Sequence, residues 1–536
     1  MKKLLFLILS INIFASDTIT MSWLEQQPKS IAKDFYIWRY LDQNITSTQA
    51  LEAIKQVNRL NNKILFRYIS KSNDDILKDY KSCMRSKTKD LLTKEPYCIE
   101  AGLSVYDATK LSKNSLNKII NKVEKEYPLL SKKLQILNSP IPFKTLEQSD
   151  IETFFNTFNQ VGGKYRVKHF NQYFSLSTFK KLRDDKKFDQ TIKLIVTNLK
   201  MNKAQISLLN LTPENLSYRA VFHLAINAIR HKKDDLALIY LENAYTKAYY
   251  KMQKDNITFW QYKLTKDKKY LDMLAKSWDI NLYSLYANNI MKSKNKELNN
   301  IIFNIKQEKI DKTNLFDTTI PFNWLKVLKD SKKMDDKKLS KYNNLFTTKD
   351  TLGHLAFVKE RYDRYKNSYF VTPFDHYINK LSKDKQSLIY AIGRQESRFI
   401  PTSISSAYAM GVMQIMPFLS RAIAKELKED YNIDNQLNPK VNLKYASHHL
   451  KYLSKRLNHP LFIAYAYNGG IGFTKRLLKS ELFKKGKYEP YLSMELLPYD
   501  ETKKYGKKVL TNYFVYQNHI NKQEKVSFNK LLNIVN

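Results

Sequence analysis

Glycine is almost absent from the first two-thirds of this chain. Of eleven glycines in 536 residues, seven (Gly393, Gly411, Gly469, Gly470, Gly472, Gly486 and Gly506) fall within the last 144. A backbone with so few residues that relieve tight turns is confined largely to helices and short connections. The stretch "SYRAVFHLAINAIRHKKDDLALIYLENAYTKAYYKM" (217–252) shows how. Val221, Leu224, Ala225 and Ala228 form one stripe; after a polar turn at 231–235, Leu238, Leu241, Ala244 and Tyr245 form another. Steps of three and four residues predict two amphipathic helices joined as a hairpin, with the stripes as core rather than a binding surface. Comparable segments precede and follow it without a strict period. The expected architecture is therefore mainly α, a superhelix of stacked helical hairpins over 17–300.

Two further regions follow. The charge-dense "KVLKDSKKMDDKKLSKY" (326–342) reads as a solvated helix or connection, within a linker helical domain assigned to 301–371. From about residue 372 the chain gains glycines, proline-marked turns and uncharged runs, so 372–536 is expected to be a separate final domain. Several domains are the natural expectation at this length.

The N-terminus, "MKKLLFLILSINIFASDT", has Lys2 and Lys3, then an apolar run from Leu4 to Ala15, then small residues. That run is too short to span a bilayer and has the layout of a cleaved secretory signal over 1–16. No cysteine lies near Ala15 or Ser16 to carry a lipid, so the expectation is an exported protein without a membrane anchor. The two cysteines, Cys83 and Cys98, could close a loop of about 15 residues, worth about 3 kcal/mol in an oxidising compartment. Two buried free thiols are the alternative. No metal is expected: two cysteines cannot build a zinc site, and the adjacent His448 and His449 point apart on a helix.

Lys and Arg number 91 against 51 acids, a net charge of +40, which favours an anionic partner. Residues 372–536 hold 26 basic and 13 acidic residues, close to their even share of the excess. Such a spread suits weak attraction to a large anionic matrix better than a nucleic-acid reader, so no nucleic-acid partner is expected.

Against this background, Phe399–Ser420 contains no Asp, Glu, Lys or Arg, and Glu396 is the last acid before it. In "KDKQSLIYAIGRQESRF" the apolar positions Leu388, Ile389 and Ile392 put Glu396 on the buried side of a helix ending near residue 399, stopped by Pro401. A desolvated carboxyl has a raised pKa, and an acid still protonated near neutral pH can cleave a glycosidic bond. A surface Glu, or one paired with Arg394 or Arg398, is the competing reading. "AMGVMQIMP" adds Met410, Met413 and Met416 as adaptable apolar walls, with Gln414 as a neutral donor and acceptor. A second uncharged run, Leu457–Thr474, holds "AYAYNGGIG", a short helix ending in Tyr465, Tyr467 and Asn468. Rings and amides there suit a sugar; core packing of either tyrosine is equally open. Its glycines do not form a nucleotide loop, and no cofactor is expected.

"RQESRFIPTSISSAYAMGVMQIMP", "AYNGGIG" and "PYDETKKYGKKVL", in this order, resemble the three motifs of soluble lytic murein transglycosylases. The resemblance covers about 160 residues. It implies a lysozyme-like catalytic domain, preceded by a doughnut-like, U-shaped superhelix and a linker. It also implies a periplasmic monomer acting on peptidoglycan glycan strands, with cell-wall synthesis proteins as further candidate partners. Glu396 would be the single acid and base. Ser405, Gln414, Met416, Tyr467, Asn468 and Glu501 would line the cleft, with Tyr467 stabilising the reacting centre. The implied reaction cleaves the MurNAc–GlcNAc β-1,4 bond without water and leaves a 1,6-anhydro end. Departures from the pattern are Tyr408 for Gly, Val412 for Leu, Gly469 and Ile471 for Ala and Pro, and Lys503 for Arg. Of these, Tyr408 could reshape a subsite. A lysozyme-type hydrolase and a non-catalytic glycan-binding scaffold are the rival expectations.

Overall fold

In the computed structural model, which describes residues 18–291, 300–309 and 315–534, helices account for nearly all regular structure. Among the described residues the sheet content is one parallel pairing of Ile301–Ile302 with Ser368–Tyr369. The expected signal segment, 1–16, lies outside the described residues. Among them, no helix is long and apolar enough to cross a membrane. The chain forms two compact units, Met1–Arg85 with Ile404–Tyr408, and Ser86–Ser403 with Ala409–Asn536.

The first unit contains short helices whose starts are written in the sequence. Thr20, Ser30, Thr46 and Asn61 each accept a backbone N–H with the side chain, and Thr46 with Gln49 forms a reciprocal cap. Buried Asp34 accepts the backbone N–H groups of Asn58 (2.7 Å) and Arg59 (3.0 Å), which ties a connection to the helix Ile31–Tyr40. Tyr408 fills this unit. Its ring meets Phe35 and Trp38 at 5.7 and 5.3 Å, and Asn61 Nδ2 donates to its hydroxyl at 2.9 Å. Only 1% of it is exposed, so its ring serves as core for this unit. Both cysteines are buried and disulfide-bonded, so the free-thiol alternative falls.

In the second unit, helices pack on their neighbours in chain order. Tyr218–Arg230 and Asp234–Lys247 form the expected hairpin, followed by Lys251–Thr265, Lys268–Ala275 and Leu282–Met291. The first stripe is buried as expected. The second is rotated: Ala237, Tyr240, Leu241 and Ala244 are buried, while Leu238 and Tyr245 are half-buried. Tyr240 pulls the helix round by donating its hydroxyl to the Leu211 carbonyl at 2.6 Å. The charge-dense stretch also differs from expectation. It is broken by a short 3₁₀ turn, Ser331–Lys333, between Pro321–Asp330 and Asp336–Leu345. Val327 and Tyr342 on those helices enter a small core with Trp324, Phe346, Leu355 and Ile400.

The rest of the unit is built round the long helix Asp500–Ile520, which lies against Lys383–Glu396 and Pro460–Gly469. Pro417, Pro439 and Pro460 each open a helix, where the missing N–H costs nothing. Gly506 allows the contact between the two later helices, since a Cβ there would lie 2.1 Å from the buried Tyr465 ring. Tyr465 therefore takes the core reading.

Candidate active site

The helix Lys383–Glu396 ends on the candidate acid itself, earlier than Pro401 alone would require. Arg398 and Phe399 adopt left-handed φ of 58° and 65°, which reverses the chain. Ser397 Oγ secures the reversal by donating to the Val412 carbonyl (2.7 Å) and accepting from the Ile400 N–H (3.0 Å).

Glu396 does not pair with either flanking arginine. Arg394 and Arg398 both turn to the buried Glu360, at 3.5 and 3.0 Å. What meets Glu396 is Tyr505, whose hydroxyl donates to Oε1 at 2.6 Å. Burial pushes the Glu396 carboxyl up to about 7; the Tyr505 hydrogen bond opposes this, and the nearby charge of Glu501 adds to it. Burial, then the charge of Glu396, holds the phenols of Tyr467 and Tyr505 well above their ordinary value. Both are therefore neutral donors at any physiological pH. Glu396, Glu501, Tyr467 and Tyr505 thus share one electrostatic environment.

The surrounding frame is a backbone turn. Met410 and Ile415 exchange both backbone hydrogen bonds at 3.0 Å. Gly411 carries φ of +81°, and a Cβ on it would lie 2.3 Å from the Gln436 carbonyl, so only glycine fits. Gln414 Nε2 donates to the carbonyls of Ser403 and Gly411, both at 2.9 Å, so its amide holds the turn. Asn442, fully buried, accepts the Met413 N–H at 2.8 Å and donates to the Met410 carbonyl at 3.1 Å. Tyr467 donates to the Met413 carbonyl at 2.7 Å. Met416 is half-buried and caps the next helix. Asn468 is held at both ends of its amide: Nδ2 donates to Glu501 Oε1 (3.1 Å) and Oδ1 accepts from Thr502 Oγ1 (2.7 Å).

Of the residues singled out in the sequence, Glu396, Gln414, Met416, Tyr467, Asn468 and Glu501 lie in the second unit, on elements tied together by these bonds. Ser405 is half-buried within Ile404–Tyr408, grouped with the first unit. The residue that sequence reasoning missed is Tyr505. It stands one helical turn after Glu501, inside the quoted third motif, and that spacing was the available signal. Among the described residues, no three His, Cys, Asp or Glu side chains gather to hold a metal ion.

Comparison with known proteins points one way. Residues 376–489 match the family model of the Transglycosylase SLT domain. The chain is 27% identical over 215 residues to the soluble lytic murein transglycosylase of Salmonella typhimurium, covering 39% of this chain and 33% of that protein. The Escherichia coli K12 protein of the same name is 27% identical over 202 residues, 36% of this chain and 30% of that one. The chain thus spans about a third of the length of the curated relatives it matches. A crystal structure of an inactive variant of the lytic transglycosylase Slt from Pseudomonas aeruginosa superposes with a TM-score of 0.53 at 13% identity, over 95% of this chain and 90% of that one. This last likeness shows the mainly α fold.

Proposed function

We propose that the chain, which carries a Transglycosylase SLT domain over 376–489, is a lytic murein transglycosylase. It cleaves the MurNAc–GlcNAc β-1,4 bond of peptidoglycan. Its place of action is the periplasm, in keeping with the leader-like first sixteen residues. The single observation that carries this reading is a half-buried carboxyl at the end of a helix in the matched domain, which desolvation raises to about 7 against the opposing hydrogen bond from Tyr505.

Glu396 enters the reaction protonated and delivers its proton to the bridging oxygen as the C1–O bond breaks. The substrate's own N-acetyl group assists from the far side. The carboxylate so formed takes the proton from the muramic C6 hydroxyl, whose oxygen closes on C1. No water is consumed, and Glu396 ends as it began. Intramolecular closure gains from effective molarity, which is how one carboxyl can suffice. Tyr505, neutral and donating to Oε1, orients the acid and steadies its anionic turn. Asn468, fixed by Glu501 and Thr502, and Tyr467, fixed on Met413, give the glycan a rigid rim.

A two-carboxyl hydrolase is the competing reaction, because Glu501 is near enough to raise Glu396. Mass analysis of muropeptides from digested peptidoglycan separates the two. Anhydro ends, lighter by one water than hydrolysed ends, are expected. Hydrated ends would replace the transglycosylase reading with a lysozyme-type one.

A further inference from the structure

Tyr408 stands where the transglycosylase motif pattern has glycine, and it keeps the backbone that glycine favours, with φ of 68°. Another residue in that region stores about 1–2 kcal/mol of strain, which persists only where the surrounding contacts dictate it. Those contacts come from helices of the first unit. Asn61 Nδ2 donates to the Tyr408 hydroxyl at 2.9 Å, and Lys63 Nζ donates to the Ala407 carbonyl at 2.7 Å. The Lys63 ammonium also lies 5.2 Å from the centre of the Tyr408 ring. Phe35 and Trp38, about a turn apart on Ile31–Tyr40, pack on the same ring.

This grip matters because of what the segment is made of. Ile404–Tyr408 is the part of the first motif that folds with the first unit. In it Ser406 and Ala407 are exposed, Ile404 and Ser405 are half-buried, and only Tyr408 is buried. None of the five carries a charge that could make an ion pair. The Tyr408 N–H closes a turn on the Ser405 carbonyl at 2.8 Å, so the orientation of Ser405 follows that of Tyr408.

Both ends of the segment run into the frame of the candidate site. The Ser403 carbonyl, just before it, accepts from Gln414 Nε2 at 2.9 Å and from the Gly411 N–H at 3.0 Å. Met410, just after it, exchanges backbone bonds with Ile415. The same frame holds Met413, whose carbonyl receives the Tyr467 hydroxyl. Five residues with pinned ends and one buried side chain have their conformation decided at that side chain. Freed there, the middle would sample the many turns open to a short loop while the ends stay in place.

We propose that Tyr408 is a positioning residue: through Asn61, Lys63, Phe35 and Trp38 the first unit presets the Ser405 turn, and turnover of the glycan depends on that setting. The dependence of turnover rests on the transglycosylase reading above; the anchoring of the segment does not. A tyrosine that served only as core would, when lost, lower stability and leave kcat alone.

The test uses the full chain well below its melting temperature, with two readouts. One is amide hydrogen exchange over 404–410; the other is kcat and KM for muropeptide release from purified peptidoglycan. Tyr408→Gly removes the anchor and the strain together. It should speed exchange over 404–408 by about tenfold or more and lower kcat about tenfold, with KM kept within about threefold. Asn61→Ser retains a side-chain oxygen to cap the helix Asn62–Lys71 but is too short to reach the phenol. Tyr408→Phe keeps the ring and drops the hydroxyl. Each should lower kcat about threefold, and both together no further, because the same bond is lost each time. Thr46→Ala removes a cap elsewhere in the same unit and should leave kcat and the exchange of this segment unchanged.

Wild-type kcat in Tyr408→Gly would overturn the proposal, as would unchanged exchange in the segment or an equal loss of kcat in Thr46→Ala. Should Tyr408→Gly fail to fold, Tyr408→Phe and Asn61→Ser decide by the same criteria. Faster exchange and lower kcat with hydrated products remove only the reaction; anhydro products with kcat unmoved remove only the positioning role.

Discussion

Glu396 carries an opposition between stability and function that a single residue can expose. Its carboxyl titrates at about 7 in the folded chain against an ordinary value of 4.5. Between those values the folded state keeps a proton that the unfolded state has released, so stability falls as pH rises through this window and stays lower above it. The shift corresponds to at most about 3 kcal/mol; the residue is only half-buried, so solvent screening brings this to about 1–3 kcal/mol. Glu396→Gln cannot ionise. It should abolish muropeptide release, match the wild type in urea melts at pH 4, and exceed it by that 1–3 kcal/mol at pH 8. Equal melts at both pH values would show that the acid is not desolvated. In the proposed reaction the protonated form is the working one, so kcat/KM should decline above about pH 7. Tyr505→Phe removes a donor that favours the anion and should move this limb upward by about one unit, with a lower kcat. Glu501→Gln removes a charge that disfavours the anion and should move it downward. Opposite displacements from two neighbours one turn apart would be hard to produce by general loosening of the site.

Elements position these residues, and here glycine marks the tightest constraints. Gly506 precedes no turn; it lets the helix Asp500–Ile520 touch Pro460–Gly469, with the fully buried Tyr465 ring occupying the space of a missing Cβ. Gly506→Ala has no room to relax into and should cost about 2–4 kcal/mol, read as a lowered Tm. It should also depress kcat, because Tyr505 is its chain neighbour and moves with the helix. In the first unit, Tyr408 sits at φ of 68°, a conformation that favours glycine and costs another residue about 1–2 kcal/mol. Burial against Phe35 and Trp38 outweighs that strain. Tyr408→Gly should therefore still destabilise, by about 2–3 kcal/mol, through the lost ring.

How far such features can be read beforehand depends on how local they are. The first hairpin stripe and the caps at Thr20, Ser30, Thr46 and Asn61 arise within one or two turns, where sequence carries them. Glu396 was legible because an uncharged run sets it apart. The rotation at Tyr240 was not, since it depends on a carbonyl 29 residues away. The partnership with Tyr505 crosses 109 residues, and only tertiary packing creates it. The hold of Gln414 on its turn was not legible either, since its amide donates to the carbonyls of Ser403 and Gly411 only once the turn has folded.

At the scale of the second unit, the helical stack and the terminal helices share a buried ionic cluster. Tyr283, on Leu282–Met291, donates to Glu495 Oε1 at 3.1 Å. Lys507 donates to the same oxygen and, at 2.9 Å, to the Tyr283 hydroxyl; Lys503 donates to the Glu495 carbonyl at 3.1 Å. Burial alone would raise the Glu495 carboxyl, but Lys507 and Lys503 together hold it below its ordinary range. At the edge of the cluster, Asp500 receives Lys193 from an earlier helix at 3.1 Å. Contacts that join positions more than 200 residues apart make the stack and the terminal region one cooperative body. Lys507→Met leaves Glu495 charged, buried and short of its main partner, and should cost about 3–5 kcal/mol. Removing both charges, as Glu495→Met with Lys507→Met, should recover most of that loss, since neither ion then needs compensation. If the cluster couples the two regions, the single variant will broaden or split the thermal transition while the double variant keeps one sharp transition. Calorimetry reads this directly. A single variant that melts as sharply as the wild type, at an unchanged temperature, would mean that apolar packing alone unites the stack with the helices that bear the site.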